Sequence, residues 1–398
     1  MPRRRLLPIA LCLLCCASSV ARARDQGGPL VLVGGSLESP SIYREIVRLA
    51  GGEGRAKIGV ITAASSQARE NGEHYKETFR RHGAADVQWI ALGERPTGET
   101  LRQIRGLTGF FFGGGDQSRL LKTMLRHEGG DTPELAAIRR AMANGALVGG
   151  TSAGTAVQVS GPMITGGESY DALRRAPVDE LSPRRGGRLS YHAGGGLGLF
   201  KWGALDTHFN ERGRSGRLIR LADATRQKLA FGVDEDTALV VRDPLGHDPR
   251  MTVVGKGGVS IFDLTNARSG RDPSFWIKNV RTAYLTEGDT YRPRKRRMKR
   301  ARDKRPFTAE DGAPSPGSRD IFSSPELHRR NSREFVRVTR DLFAVPRSTI
   351  TTRVHENPEW QVTISKTRGA RCYSAAGQRD PASYKNLRVD IRRSCSRR

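Results

Sequence analysis

The sequence predicts an α/β fold in which helices sandwich a mainly parallel sheet. From residue 29 onward, short runs rich in β-branched and aromatic residues alternate with stretches of helical character, which is typical of a parallel sheet covered by helices. The strand candidates are apolar at successive positions, as expected for strands that are buried on both faces. Most of them end in glycine, which indicates that their carboxyl ends open into a site.

The elements follow in a regular order up to residue 150. The predicted strands are PLVLVGG at 29–35, KIGVITAAS at 57–65, VQWIAL at 87–92, TGFFFGGG at 108–115 and GALVGG at 145–150. The predicted helices between them are 40–50, 68–82, 97–105, 117–126 and 133–143. Residues 166–200 are rich in Gly, Arg and Ser and predict an irregular insertion. The apolar runs at 228–241 and 251–264 then predict an antiparallel edge.

The first 23 residues predict a secretory signal peptide. Three arginines within residues 1–5 precede an apolar run at 6–16, and Ala21-Arg22-Ala23 resembles a small-residue cleavage site. An uncleaved membrane anchor is the alternative, but the run is shorter than the ~20 residues that span a bilayer. We therefore expect an exported, soluble protein, periplasmic or extracellular, with cleavage near Ala23.

The C-terminal quarter differs in composition from the rest. The chain has 68 Lys and Arg against 41 Asp and Glu, a net charge of +27, and residues 291–398 hold 28 of the basic and 11 of the acidic residues. We expect residues 24–290 to form the α/β domain and residues 291–332 to form a basic, disordered linker, because that segment has almost no apolar residues. Alternating apolar residues in 333–398 predict a small β-rich extension.

Cysteine and histidine usage gives no metal-site spacing. After removal of the signal peptide only Cys372 and Cys395 remain, and an oxidising compartment would allow them to form a disulfide. Two free thiols are the alternative. Neither cysteine is near a histidine cluster, so we expect no metal and no cofactor.

A candidate nucleophile lies after the fifth predicted strand. The residues Gly150-Thr151-Ser152-Ala153-Gly154 fit the pattern G-x-S-x-G, and helix-compatible residues follow them. A strand-to-helix turn of this kind needs unusual backbone angles and close packing, which glycine permits. In that geometry the N–H of Ala153 faces a developing oxyanion, and Gly114 or Gly115 of the loop FFFGGGDQ offers a second donor.

Serine needs a base, and the base needs an orienting acid. The histidines are His74, His82, His127, His192, His208, His247, His328 and His355. His208 is the best candidate because Asp206, Arg212, Arg214 and Arg217 surround it in LDTHFNERGRSGRL. Glu235 is a candidate acid since it lies among apolar residues at a strand start, where a carboxylate needs a partner. Glu168 and Asp206 remain its rivals.

Four segments in this order resemble the cyanophycinase family, serine exopeptidases related to aspartyl dipeptidase (peptidase E). The segments are GGGDQ, GGTSAGTAV, DTHFNERGRSGRL and GVDEDTA, and the resemblance covers about residues 28–265. It implies a flavodoxin-like fold akin to class I glutamine amidotransferase domains, a homodimer, and a triad of Ser152, His208 and Glu235. The residues that it implies for substrate binding are Gln117, Asp206, Thr207, Arg212, Arg214 and Arg217.

The resemblance also implies the substrate. It is cyanophycin, a poly-aspartate whose side chains carry arginine, and the products are β-Asp-Arg dipeptides. Guanidinium groups suit the free carboxylates of such a substrate, while Asp206 suits its arginine or amino group. Two departures affect this transfer: Thr207 stands where the family has glutamine, and the 56 residues between Ser152 and His208 exceed the expected spacing.

Two other functions remain open at this point. The same chemistry could serve a small aspartyl or isoaspartyl dipeptide instead of the polymer. A protein of a different class would bind an anionic polymer or surface through residues 291–398 without catalysis. Deleting the basic tail is expected to abolish function in that second case and to spare hydrolysis in the first. We expect no specific nucleic-acid partner.

Overall fold

The computed structural model describes residues 27–93, 97–182, 187–307, 316–323, 332–375 and 380–394. The predicted signal peptide lies outside these ranges. The described helices are α1 Pro40–Leu49, α2 Ala68–Arg81, α3 Thr97–Ile104, α4 Gln117–Met124, α5 Pro133–Ala143, α6 Ala153–Ala156, α7 Ser169–Arg174, α8 Ser215–Ala224 and α9 Glu334–Phe343.

The described strands belong to three sheets. In chain order they are β1 Leu30–Val33, β2 Lys57–Ile61, β3 Asp86–Trp89, β4 Gly109–Phe112, β5 Leu147–Thr151, β6 Met163–Gly166, β7 Val178–Asp179, β8 Ser190–His192, β9 Ala204–Asp206, β10 Leu229–Val233, β11 Thr237–Arg242, β12 Arg250–Gly255, β13 Gly258–Asp263, β14 Arg268–Gly270, β15 Trp276–Thr286, β16 Thr290–Arg292, β17 Arg297–Lys299, β18 Lys304–Pro306, β19 Thr349–Arg353, β20 Trp360–Ala375 and β21 Ser383–Arg393.

The first sheet confirms the predicted α/β architecture. Its order is β17-β16-β12-β11-β1-β5-β4-β2-β3, and the five strands from β1 to β3 in this order are parallel. Alternate strand residues face opposite layers. Leu30, Leu32 and Phe110 pack with α4 and α5, whereas Val31 and Phe111 pack with α1 and α2. Helices therefore cover both faces of the parallel strands.

The five strands and five helices predicted before residue 150 are all present. Their boundaries differ from the prediction by a few residues; the predicted runs at 29–35 and 108–115, for example, included the glycines that follow β1 and β4. The predicted antiparallel edge divides between two sheets. β11 pairs with β12 in the first sheet, while β10 pairs with β13 in the second. The predicted irregular insertion at 166–200 contains α7, β7 and β8. These two strands form a small sheet with β6, which ends where the insertion begins.

The second sheet includes the C-terminal part of the chain. Its order is β18-β20-β21-β15-β13-β10-β9, with β14 on β15 and β19 on β20. The strand β21 pairs with β15 of the preceding region over Ile277 to Tyr284. Residues of β20 and β21 share one hydrophobic core with Phe209, Leu218 and Phe262. The described C-terminal residues are therefore packed into the molecule and do not form a separate extension.

The structure corrects the prediction of a disordered linker over residues 291–332. Within the described part of this range, β16, β17 and β18 are ordered strands. Tyr291 and Met298 are buried, and the buried ammonium of Lys304 lies 2.8 Å from a carboxylate oxygen of Asp289. Isolated apolar residues of this basic segment are thus buried in a hydrophobic core whose other residues come from earlier parts of the chain. Residues 308–315 and 324–331 lie outside the described residues.

A second correction concerns EFVRVTRDLF, which was predicted as part of a β-rich region. It forms the helix α9, whose buried side chains include Phe335, Val338, Thr339 and Leu342. The intervals of three and four residues between them match one face of a helix, and the alternation of apolar and polar residues from Val336 to Thr339 obscured this period.

The predicted disulfide partner Cys395 lies outside the described residues. Cys372 is buried and free, opposite Tyr384 in the β20–β21 pairing.

No helix in the described ranges is both long enough and apolar enough to cross a membrane.

Candidate active site

Ser152 occupies a sharp turn between β5 and α6. Its backbone angles are φ 53° and ψ −117°, a combination that few residues other than glycine adopt. A Cβ on Gly150 would lie 2.2 Å from the carbonyl oxygen of Gly154, and a Cβ on Gly154 would lie 2.0 Å from that of Phe112. The two glycines of the motif are therefore required by backbone packing.

Hydrogen bonds hold this turn against the first sheet. The N–H of Ser152 donates to the carbonyl oxygen of Val33 at 3.1 Å. The hydroxyl of Thr155 lies 2.7 Å from the Val33 carbonyl oxygen and 2.6 Å from that of Gly150. The serine hydroxyl is thus presented by a rigid support rather than by a free loop.

His208 follows β9 of the second sheet and contacts the serine. Its N–H donates to the Gly34 carbonyl at 2.7 Å, and its φ is 46°. Its Nε2 lies 2.8 Å from the Ser152 Oγ. Gly35 lies beneath the ring, because a Cβ at that position would be 2.1 Å from an imidazole carbon. Gly34 and Gly35, which follow β1, are thus a part of the site that was not predicted from the sequence.

Glu235 lies in the turn that connects β10 of the second sheet to β11 of the first. Its Oε1 lies 2.6 Å from the Nδ1 of His208. With the proton placed on Nδ1, this bond leaves Nε2 free to accept the serine proton. The three predicted side chains therefore converge where the two sheets meet. The rival acids are placed elsewhere: Glu168 precedes α7, and Asp206 binds an arginine.

The environment keeps the imidazole a neutral base. Burial and the nearby Arg212 guanidinium lower the pKa of His208 below its ordinary 6.5, outweighing the opposite effect of Glu235. At neutral pH the ring is therefore uncharged and able to accept a proton.

A cavity of about 180 Å³ opens beside Ser152. All the predicted substrate-binding residues line it, together with Gly115 and Ala153; they are Gln117, Asp206, Thr207, Arg212, Arg214 and Arg217. A Cβ on Gly114 would lie 3.9 Å from the Ser152 Oγ. Within the described structure, the N–H groups of Gly114, Gly115 and Ala153 have no hydrogen-bond acceptor. They are thus available to an oxyanion at this position.

The acid and one of the arginines bind each other. Arg217 donates two hydrogen bonds to Asp206, at 2.8 and 2.7 Å, and a third to the Gly167 carbonyl at 2.6 Å. Although burial opposes ionisation, Arg217 and Arg214 hold the pKa of Asp206 below its ordinary value. Asp206 is therefore occupied by Arg217, which differs from the expectation that it meets the substrate's arginine.

Arg214 also lines the cavity. It donates to the Thr207 carbonyl at 2.8 Å, and its Nε is buried and has no hydrogen-bond partner among the described residues. Burial, and next the charge of Arg217, lower the pKa of Arg214 to about 9. The buried guanidinium is still cationic at neutral pH and suits a carboxylate of the substrate. Gln117, by contrast, donates its amide to the Ile164 carbonyl.

The described residues contain no group of three or more His, Cys, Asp or Glu side chains that could hold a metal ion. The arrangement of Ser152, His208 and Glu235 can activate a hydroxyl as a nucleophile without one.

The chain is similar in sequence to proteins of one peptidase family. The profile of peptidase family S51 matches residues 30–246. The cyanophycinase of Trichormus variabilis is 33% identical over 274 residues, which are 66% of this chain and 84% of that protein. The cyanophycinase of Synechococcus elongatus is 34% identical over 246 residues, 59% of this chain and 69% of that protein. The crystal structure of a peptidase from an acI-B1 Actinobacterium matches 67% of this chain and 98% of that chain, with 19% identity and a TM-score of 0.46.

Proposed function

The chain belongs to peptidase family S51 and is a serine peptidase, and from this premise we propose that it is an exopeptidase that hydrolyses cyanophycin to β-Asp-Arg dipeptides. The observation that carries the proposal is the continuous hydrogen-bonded chain from Ser152 through His208 to Glu235. The two relatives that are 33% and 34% identical to this chain are named cyanophycinases.

The proposed reaction proceeds through an acyl-enzyme. As the Ser152 Oγ attacks the carbonyl carbon of the scissile bond, its proton passes to the His208 Nε2. The N–H groups of Ala153 and the Gly114–Gly115 loop stabilise the oxyanion. The imidazolium then returns the proton to the leaving amine, and the C–N bond breaks. Water, deprotonated by the same imidazole, attacks the ester and releases the acid product and free Ser152.

Charge in the cavity supports a substrate with a free carboxylate. Arg212 and Arg214 line the space beside the nucleophile. A guanidinium that binds a carboxylate through charged hydrogen bonds selects a substrate with that group over one that lacks it. A chain-terminal aspartyl unit supplies such a carboxylate.

Purified protein incubated with cyanophycin tests the proposal. Release of β-Asp-Arg, measured by mass spectrometry, is expected from the wild type and not from Ser152→Ala. Intact polymer in both samples would overturn the substrate assignment.

A small aspartyl or isoaspartyl dipeptide remains the second candidate substrate. The observation that favours it is the Asp206–Arg217 pair, because the charge of this carboxylate is already neutralised by a guanidinium of the protein, which weakens it as a site for the substrate's arginine. Relative kcat/KM values on polymer and on aspartyl dipeptides separate the two.

We also propose that the parallel strands form a flavodoxin-like sheet and that the mature protein is an exported homodimer. Counted from β2, the parallel strands lie in the spatial order second, first, third and fourth, as in flavodoxin-like folds. Residues 1–23 have the composition of a signal peptide. N-terminal sequencing of the secreted protein and light scattering test the last two points, and an intact Met1 would contradict cleavage.

A further inference from the structure

Two loops of the proposed triad are joined by a residue from far along the chain. The first loop carries His208 and continues to Glu211, and the second carries Glu235 after Asp234. Arg333, which precedes α9, lies between them. It falls outside the segment 30–246 that matches the peptidase family.

The two loops contact each other through carboxylates. Asp234 accepts hydrogen bonds from the Asn210 N–H at 3.2 Å and from the Asn210 side-chain amide at 2.7 Å. Glu211 accepts a hydrogen bond from the Glu235 N–H at 3.1 Å. Each loop thus supplies one carboxylate to the contact, and Asp234 is fully buried.

Arg333 supplies the cation that these two acids require. Its guanidinium lies 2.7 Å from Glu211 Oε1 and 3.0 Å from Asp234 Oδ2, and it donates to the Tyr284 hydroxyl at 2.7 Å. Its backbone N–H donates to the Asn210 carbonyl at 2.8 Å. Two neighbouring buried carboxylates repel each other unless a cation lies between them, and removing one partner of such a cluster leaves uncompensated charge.

We propose that Arg333 is a positioning residue of the active site, which holds the His208 and Glu235 loops in register by bridging Glu211 and Asp234. This inference rests on the proposed triad. Arg333 does not line the cavity beside Ser152, so it acts through the two loops and not on the substrate.

The surroundings of the bridge predict a dependence on pH. Burial and Asp234 raise the pKa of Glu211 to about 7, and Arg333 opposes them. Without Arg333 the pKa of Glu211 rises further, and the two carboxylates repel each other once pH exceeds it. The charged and titratable groups that face the bridge are Asp234, Glu235 and Tyr284, with Glu38, Asp236, Lys256 and Asp380 across a cavity of about 570 Å³.

The test compares arginine variants of the full chain by the rate at which a fluorophosphonate probe phosphonylates Ser152, with fluoride as the leaving group. Arg333→Met should lower this rate on the order of tenfold to a hundredfold, with a larger loss above neutral pH, and Arg333→Lys should restore part of it. Arg337→Met is the matched control. Arg337 lies four residues after Arg333, within α9, and its guanidinium binds Glu334 and Asp341 instead. This variant should keep the wild-type rate.

A double variant separates positioning from folding. Arg333→Met with Glu211→Gln removes the cation together with one carboxylate, and it should abolish the extra loss at high pH even where Arg333→Met alone is unstable. Equal rates and pH profiles for wild type and Arg333→Met overturn the proposal, as do equal losses in both arginine variants or a double variant that recovers nothing. If Ser152→Ala labels as fast as the wild type, the triad itself fails, which is a distinct outcome.

Discussion

Ser152 stores backbone strain in the resting enzyme. Its φ of 53° with ψ of −117° is costly for a residue that carries a Cβ. Ser152→Gly and Ser152→Ala both lose the hydroxyl bonded to His208, so they differ mainly in this strain. We expect Ser152→Gly to be the more stable by about 1 kcal/mol. Urea denaturation of both variants measures the difference, and a less stable glycine variant would contradict a strained turn.

The charge of Arg212 tunes the base. Because this cation disfavours the imidazolium, replacing it with methionine raises the pKa of His208. The acid limb of the rate at which a fluorophosphonate labels Ser152 should lie below pH 6.5 in the wild type and move to higher pH in Arg212→Met. Arg102→Met, on the exposed side of α3, is the control and should leave the limb in place. An unchanged or lower midpoint in Arg212→Met would oppose this reasoning.

At the level of single residues, the sequence indicated those whose neighbours in the chain carry a signal. Ser152 lies in a glycine motif, His208 lies among charged residues, and Glu235 is an acid among apolar residues. No neighbour in the chain distinguishes Arg333 from the other arginines around it. The partners of its guanidinium lie 49 to 122 positions away. The pairing of Asp206 with Arg217 was also invisible, because spacing alone does not show which acid an arginine binds.

The turn between β5 and α6 is the element on which the site depends. A methyl group on Gly154 in α6 would collide with the Phe112 carbonyl oxygen of β4 and would push α6 away from that strand. We expect Gly154→Ala to destabilise the protein by about 3 kcal/mol and to abolish labelling of Ser152. In Gly98→Ala the new methyl group meets only the end of the Arg102 side chain at 3.9 Å, so helix propensity should stabilise α3 slightly. Thermal unfolding distinguishes them, and two similar curves would be evidence against close packing at Gly154.

Elements were predictable where a single segment carries its own pattern. The strands β1, β2, β4 and β5 consist of apolar residues and glycine apart from Lys57 and Thr151, which identifies them without their neighbours. β16 and β17 bury only Tyr291 and Met298 and owe their order to pairing with β12 and to each other. Their basic sequence therefore indicated a linker, although the sheet that they join supplies the missing apolar surface.

The described structure has two large sheets and one small sheet, and the candidate site lies where the two large sheets meet. β21 covers the edge of β15, and residues from Ile321 to Ile391 share the core of the second sheet. Deleting residues 291–398 should therefore leave an insoluble or unfolded protein, whereas deleting only residues 395–398 should not. Solubility and circular dichroism check this, and a soluble 24–290 fragment with the wild-type labelling rate would contradict it.

The packing of the C-terminal residues in the second core argues against the expectation that removal of the basic tail spares hydrolysis. Deletion cannot separate a polymer-binding role of the tail from catalysis, because the tail also completes the fold. Exposed cations such as Arg297 and Lys299 of β17 provide a better means, since their replacement leaves Met298 in the core. A non-catalytic, anion-binding protein would lose its binding in such variants while Ser152 remained unreactive.

The central claim is that Ser152, His208 and Glu235 form a working nucleophilic triad. The most direct measurement is to map by mass spectrometry the site that a fluorophosphonate labels in the wild type and in His208→Ala. The account predicts one label, on the peptide that contains Ser152, and a rate at least about a thousandfold lower without the imidazole. Labelling at another residue, or an equal rate in His208→Ala, would contradict it.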